Sequence, residues 1–157
     1  LSNIFITYSV LSIRFCDYYY CGGAYPDGGC DALNFDMTTG KQLQLEDVIW
    51  FGKGKVPVDD SHEWYSYRTE VFAPKVVSIF SALYPNEMNE DETGCDYNET
   101  DPWDFPNWYF TDKGLYLGAS YPHVNAPCRD PEWSIIPYKA LRKYRNKNVK
   151  LKLPFKN

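Results

Sequence analysis

The sequence predicts a chain of mixed α and β structure, with hairpin-connected strands and one long helix. Three observations carry this prediction. Apolar residues alternate along residues 3–15, strand-forming residues flank an Asp-Lys-Gly turn within residues 108–117, and residues 62–84 carry apolar side chains at helical spacing. We interpret residues 1–157 as a single domain, since this length is sufficient to bury a sizeable core.

The first strands surround a glycine-rich stretch. Residues 3–15 alternate with one slip in phase, which predicts one bulged strand or two short strands. Residues 21–30 hold four glycines and predict a tight irregular loop. Residues 32–37 form the next strand, and Gly40 is suited to the left-handed position of the hairpin turn that follows. Residues 42–45 are then the returning strand.

The long helix is predicted over residues 62–84. Its apolar residues follow a spacing of three and four, at Phe72, Val76, Ile79, Phe80 and Leu83. Pro74 leaves two arrangements open: a helix that begins close to it, or a longer helix that is kinked there. Further strand and helix signals lie at residues 133–136 and 138–144, and the basic tail at residues 147–157 alternates in a way that suits an edge strand.

Five cysteines without a CxxC spacing predict two disulfides and one remaining thiol, as in proteins of an oxidising compartment. We pair Cys21 with Cys30 and Cys95 with Cys128, which leaves Cys16 unpaired, although Cys16 competes with Cys21 for Cys30. No run approaches the ~20 apolar residues of a membrane span. The chain starts inside an alternating segment without Met, so we interpret it as a mature or trimmed product, periplasmic or extracellular. The part removed is expected to be a signal peptide, with an anchor or another domain as the alternatives.

The net charge of −5 conceals an asymmetry. Residues 1–138 carry all 21 acidic residues and eight of the 16 basic ones, a net charge of −13, and the other eight basic residues lie in residues 139–157. An acidic body disfavours nucleic acid and favours a basic partner. Aromatic residues are 18% of the chain, too many to bury completely, so some should be available for recognition.

The sequence contains no recognisable catalytic motif. HExxH, GxSxG and GxGxxG are absent, and two histidines, His62 and His123, cannot supply three imidazole ligands. We therefore expect no enzymatic activity, no metal and no cofactor. The acidic segment, residues 86–104, contains eight acids and no base, and it suits a solvated loop, a calcium site or a contact surface for a cationic partner. Trp103 is the tryptophan expected to be exposed within it.

Several motifs resemble one known family. They are YCGGA at residues 20–24, NFD at 34–36, TGKQLQLEDV at 39–48, WYFTDKGL at 108–115, YP at 121–122 and IPY at 136–138. The chain thereby resembles the C-terminal extracytoplasmic domain shared by RsiV-like lysozyme-sensing anti-sigma factors and a peptidoglycan deacetylase. Tyr25 departs from the histidine usual in that family, and the cysteines and the acidic segment are additions to its pattern.

This resemblance implies an α+β fold, a mostly antiparallel sheet with one long and one or two short helices packed on it. It also implies lysozyme binding. The resulting hypothesis is a non-enzymatic inhibitor, immunity protein or sensor that binds a basic peptidoglycan hydrolase. The predicted partner-binding residues are Tyr25, Pro26, Asp27, Glu92, Asp96, Asp101, Trp103, Tyr121 and Pro122. The alternative is an accessory module that binds peptidoglycan itself through stacked aromatic rings.

Overall fold

The computed structural model describes residues 3–22, 27–89 and 94–152. Two three-stranded antiparallel sheets are present, in the orders β1-β2-β3 and β4-β5-β6. The strands are β1 (Asn3–Ile6), β2 (Val10–Tyr19), β3 (Asp27–Asp36), β4 (Asn107–Phe110), β5 (Gly114–Gly118) and β6 (Ile135–Pro137). The predicted α+β class with antiparallel pairing is confirmed, and the pairing is divided between two small sheets.

A 22-residue helical run connects the two sheets. Its parts are α2 (His62–Tyr67), a π-helical turn (Arg68–Phe72) and α3 (Ala73–Leu83). Pro74 lies in the first turn of α3, immediately after the π turn. Because proline lacks an N–H and its ring crowds the carbonyl one turn earlier, the wider π turn lets the helix continue through this position.

Shorter helices precede and follow this run in the chain. They are α1 (Leu45–Val48), α4 (Tyr138–Leu141) and two 3-10 helices at Asp101–Trp103 and His123–Cys128. None of the helices in the described ranges is both long and apolar enough to cross a membrane. In the basic tail, Leu151 is buried, and residues 153–157, which include the remainder of the predicted edge strand, lie outside the described residues.

The core lies between the helical run and the second sheet. Trp103 is fully buried, with its ring centroid 4.9 Å from that of Phe80 in α3. Trp133 completes this aromatic centre, 5.6 Å from Phe80, and Phe110 and Leu115 contribute buried side chains from β4 and β5. Burial of these large rings is the main source of stabilisation for such a centre.

Buried polar side chains join the two sheets. The Ser12 hydroxyl accepts a hydrogen bond from the Phe110 backbone N–H at 3.0 Å and donates to the Asn34 side-chain oxygen. Asn34 in turn donates from Nδ2 to the Trp108 carbonyl at 2.8 Å. These contacts satisfy polar groups at an edge of β4 that would otherwise be costly to bury. The opposite face of the first sheet exposes apolar residues such as Ile4 and Ile6.

The disulfide pairing corrects one prediction. Cys16 is bonded to Cys30, and Cys21 is an exposed free thiol, whereas the Cys95–Cys128 bridge is confirmed. The reason is strand register: Cys16 in β2 lies directly opposite Cys30 in β3, while Cys21 lies beyond the last pair of that ladder. Two disulfides are typical of extracytoplasmic proteins, in agreement with the coarse location inferred from the sequence.

Candidate functional site

A cleft opens between the first half of β3 and the loops that flank the β4–β5 hairpin. Its two neighbouring pockets have volumes of ≈ 440 Å³ and ≈ 430 Å³. Both are lined by residues 29–30 and by Arg129 and Asp130. The larger pocket also contains the aromatic side chains Phe105, Trp108 and Tyr121. The cleft therefore presents charged groups at its centre and aromatic rings on one side.

Arg129 holds the two walls of the cleft together. Its Nε donates a hydrogen bond to the Tyr121 carbonyl at 2.7 Å, and one terminal nitrogen donates to the Gly28 carbonyl at 3.2 Å. The guanidinium group thus connects the loop after β5 to the start of β3. Charge-assisted bonds of this kind are stronger than neutral ones, so Arg129 stabilises the shape of the cleft.

Asp130 stands beside this connection in a left-handed backbone conformation, with φ of 53°. Its Oδ2 lies 3.9 Å from a terminal nitrogen of Arg14. Burial raises the pKa of the Asp130 carboxyl, the charges of Arg14 and Arg129 oppose that effect, and the charge of Asp31 adds to it. A side chain at Gly118 would meet the Asp130 carboxyl, so a larger residue at the end of β5 would displace that carboxyl.

Tyr121 connects the cleft to the acidic segment. Its hydroxyl donates a hydrogen bond to the Asp96 carbonyl, and its ring packs edge-on against Tyr97 at 5.7 Å. Burial raises the pKa of Tyr121 to about 12, with smaller contributions from Tyr97, Asp96 and Glu99. The hydroxyl consequently stays protonated and remains a donor throughout the physiological range.

The described part of the acidic segment is ordered by its own hydrogen bonds. Asp96 Oδ1 accepts from the Asn98 backbone N–H at 3.0 Å, and Asn98 Nδ2 donates to the Met88 carbonyl at 2.9 Å. Glu99 and Asp101 remain exposed. Among the described residues, no group of three or more His, Cys, Asp or Glu side chains is placed to hold a metal ion.

The predicted partner-binding residues have different outcomes. The structure brings Asp96 and Tyr121 into direct contact, and the backbone N–H of Ser120 donates to the Pro102 carbonyl next to Asp101. Pro122 is exposed at the same rim. Three other predicted residues lie outside the described residues: Tyr25, Pro26 and Glu92. Asp27 is the first residue of β3, and its backbone alone is described.

The prediction that Trp103 is exposed is wrong. Its indole has 0% exposure, and Nε1 donates to the Tyr97 carbonyl at 3.0 Å. The short 3-10 turn directs Pro102 and Trp103 inward and leaves Asp101 in solvent. Trp103 is therefore a core residue and cannot contact a partner.

An exposed aromatic cluster next to the cleft was not predicted from the sequence. The rings of Trp64, Tyr65 and Phe105, here called the aromatic triad, lie 5.1–5.6 Å from one another. Phe105 belongs both to this triad and to the lining of the larger pocket. The only local signal is the Trp64-Tyr65 pair at the start of the helix, because Phe105 comes from a distant part of the chain.

Taken together, these features suit binding. Neither histidine lines the cleft, Arg129 donates to backbone carbonyls, and Asp130 lies beside Arg14, while Asp31 is exposed. What the cleft and its rim offer outward are aromatic rings and carboxylates. These groups supply contact area and negative potential, which are the requirements of a recognition surface for a cationic molecule.

Comparison with known proteins gives limited similarity. No protein-family model matches the chain, and no curated protein matches it. A crystal structure of a DUF3298 family protein from Pseudomonas aeruginosa PAO1, at 2.15 Å resolution, is similar with a TM-score of 0.47 and 19% sequence identity. The alignment covers 92% of this chain and 59% of that protein, so this chain spans under two thirds of its length.

Proposed function

We propose that this chain is a non-enzymatic, extracytoplasmic domain that binds a basic protein, namely a lysozyme-like peptidoglycan hydrolase. The observation that carries the proposal is the charge distribution. Residues 1–138 have a net charge of −13, and Glu99 and Asp101 are exposed beside the cleft. The sequence resemblance to the extracytoplasmic domain of lysozyme-sensing anti-sigma factors supports the same partner.

Such a charge distribution affects first the rate at which the chain associates with its partner. A negative surface attracts a cationic protein over roughly the Debye length, about 8 Å at physiological ionic strength, and orients it before contact. Aromatic side chains such as Tyr121 then supply contact area at low entropic cost. The proposed complex should therefore form rapidly at low salt and lose much of its association rate as salt is added.

The direct test measures binding of the purified chain to lysozyme by biolayer interferometry at low and high ionic strength. We expect binding at low salt and slower association at high salt. A neutral or acidic protein of similar size serves as the control for non-specific capture. Absence of binding to lysozyme and to other peptidoglycan hydrolases at low salt contradicts the proposal.

Charge-reversal variants identify the surface that binds the hydrolase. Asp101→Lys and Glu99→Lys should each slow association by about threefold to tenfold, because each change replaces attraction by repulsion beside the cleft. Asp112→Lys is the matched control: Asp112 is exposed, but it lies in the turn at the far end of the β4–β5 hairpin. Equal effects of all three changes indicate a general charge effect without a defined surface.

A second measurement on the same complex distinguishes an inhibitor or immunity protein from a sensor. Lysozyme turnover of peptidoglycan is followed with increasing amounts of the chain. Loss of turnover at saturation indicates an inhibitor or immunity protein that covers the hydrolase cleft. Full turnover at saturation indicates a sensor that binds elsewhere on the enzyme.

A second candidate function is binding of peptidoglycan glycan in the larger pocket. The observation in its favour is the group of three aromatic side chains, Phe105, Trp108 and Tyr121, that line a pocket of ≈ 440 Å³. Sugar rings pack against aromatic faces in such sites. Sedimentation with purified cell wall tests it, and Phe105→Ala should release the chain from the pellet while Asp101→Lys should not.

A further inference from the structure

The aromatic triad is an exposed cluster with a defined geometry. Ring centroids lie 5.1 Å apart for Trp64 and Tyr65, 5.3 Å for Trp64 and Phe105, and 5.6 Å for Tyr65 and Phe105. Tyr65 is 46% exposed and Phe105 is 43% exposed. Rings that contact each other and also face solvent form a small apolar surface.

The triad is held in place from beneath. Trp64 Nε1 donates a hydrogen bond to Glu46 Oε1 at 3.1 Å, and the Arg68 guanidinium lies 5.0 Å from the Trp64 ring centroid. Arg68 and Glu46 are themselves a buried ion pair. The inner side of Trp64 is therefore fixed, and the exposed rings are preorganised for a ligand, which reduces the entropic cost of binding.

One carboxylate contacts the exposed side of the triad, and two others lie close to it in the chain. The Tyr65 hydroxyl donates a hydrogen bond to Asp60 Oδ1 at 3.3 Å, and Asp59 and Glu63 are exposed close by in the chain. The charge of Asp60, and then its hydrogen bond, raise the pKa of Tyr65, with smaller effects from burial and Asp59. One cation, Lys55, lines the neighbouring hollow together with Glu63. The exposed segment next to Tyr65 thus carries three acidic residues, Asp59, Asp60 and Glu63, against the single base Lys55.

We propose that the aromatic triad binds an arginine or lysine side chain of a basic protein partner, with Tyr65 and Phe105 as its π faces and Asp60 as its counter-charge. This inference rests on the proposed function and names the anchor of that interaction. Aromatic faces attract cations through their quadrupole, and a nearby carboxylate adds to the attraction. A neutral sugar gains from the rings but gains no charge attraction from Asp60, so the arrangement favours a cationic side chain.

Variants of Tyr65 test the proposal, because Tyr65 does not line the cleft. We expect Tyr65→Ala to weaken lysozyme affinity about tenfold, whereas Tyr65→Phe, which keeps the ring, should bind within about twofold of the unaltered chain. Asp60→Asn suits the left-handed backbone at that position, with φ of 60°, and should weaken binding about threefold with a reduced salt dependence. Tyr8→Ala is the matched control, since Tyr8 is 80% exposed and lies next to β1.

Failure of the inference and failure of the proposed function give different results. If Tyr65→Ala binds lysozyme normally while Asp101→Lys does not, the triad is not the anchor and the proposed function stands. If the unaltered chain does not bind lysozyme, the proposed function fails, and the triad is tested alone by NMR with a short arginine-rich peptide and its glutamine-substituted counterpart. A shift of the Trp64 indole signal with the arginine peptide alone supports the inference. No shift, or a shift produced equally by the glutamine peptide or only by a neutral chitooligosaccharide, overturns it.

Discussion

Arg68 Nε lies 2.6 Å from Glu46 Oε1, and the two side chains retain only 6% and 4% of their exposure. A terminal nitrogen of Arg68 also donates to the second Glu46 oxygen at 3.1 Å. This pair joins the π turn of the long helix to α1. It also supports Trp64 from below, so the stability of the domain and the shape of its recognition surface depend on the same buried contact.

The first prediction concerns this pair. Glu46→Ala leaves the Arg68 guanidinium buried without its counter-charge, and the free energy of unfolding should fall by about 3–5 kcal/mol. Urea denaturation monitored by tryptophan fluorescence measures the change. In a double variant, Glu46→Leu with Arg68→Leu, both charges are absent, and the loss should be smaller than for Glu46→Leu alone. A single variant within about 1 kcal/mol of the unaltered chain contradicts the idea that the pair is buried and dry.

The second prediction concerns the cysteines. A thiol reagent applied to the folded, non-reduced protein should modify Cys21 alone, since Cys16 and Cys30 are bonded to each other. Mass spectrometry of proteolytic peptides reads the pattern directly. Cys16→Ser combined with Cys30→Ser should lower the free energy of unfolding by about 3 kcal/mol, the value expected when a crosslink across 14 residues is removed. Cys21→Ser is the control and should leave stability within about 0.5 kcal/mol. A disulfide-linked peptide that joins Cys21 to Cys30 would contradict the Cys16–Cys30 pairing and support the pairing first predicted from the sequence.

The sequence predicted the elements whose signals are local. The long helix follows from apolar spacing around Phe72, Val76 and Phe80, and the β4–β5 hairpin follows from the turn at Gly114. Both patterns are determined within a few residues. Since these patterns do not depend on which distant segment packs against them, the helix and the hairpin that they predict are also found in the folded structure.

The glycine-rich stretch was predicted wrongly because glycine occurs both in irregular loops and where two strands approach each other closely. The sequence predicts a loop over residues 21–30, yet Gly28 and Gly29 belong to β3. A side chain at Gly28 would meet the Asp17 carbonyl at 2.4 Å, so the residue is needed for a close approach between β2 and β3. The ladder continues to the Tyr19–Asp27 pair, and this register places Cys16 opposite Cys30.

The candidate site was only partly predictable. Asp96 and Tyr121 were chosen from composition and from the family resemblance, and their contact depends on loops far apart in the chain. The aromatic triad had no such signal, because Trp64 and Phe105 become neighbours only when the helix packs beside the segment before β4. The acidic residues around Trp103 suggested that it is exposed. However, the one-turn 3-10 helix directs Trp103 into the core and leaves the neighbouring Asp101 in solvent.

The third prediction follows from the burial of Trp103. Trp103→Ala should lower the free energy of unfolding by about 3–5 kcal/mol, because it removes the centre of the aromatic core. Trp103→Phe retains part of the packing and loses the Nε1 hydrogen bond to the Tyr97 carbonyl, so its cost should be smaller. Chemical denaturation of both variants measures the difference. An Ala variant as stable as the unaltered chain is incompatible with a buried indole.

The fourth prediction concerns pH. Burial raises the pKa of Asp130, and burial followed by the charge of Asp101 raises that of Asp104, while Arg68 opposes the latter effect. A carboxyl whose folded pKa exceeds its unfolded value of about 3.9 binds its proton more tightly in the folded state. The free energy of unfolding contributed by each group therefore falls as pH rises from about 3.9 through the raised folded value, and it stays lower above that window.

Asparagine variants isolate this contribution. Asp130→Asn keeps a residue suited to the left-handed backbone and removes the titrating group, so the decline of stability with pH in this window should become shallower. Asp104→Asn should act in the same direction, and the two effects should add approximately because no charged group contributes to both pKa shifts. Urea denaturation at a series of pH values provides the slopes. An unchanged decline in Asp130→Asn means that the Arg14 and Arg129 charges cancel the effect of burial and contradicts a raised pKa. A steeper decline means that these charges outweigh burial, which places the folded pKa of Asp130 below its ordinary value.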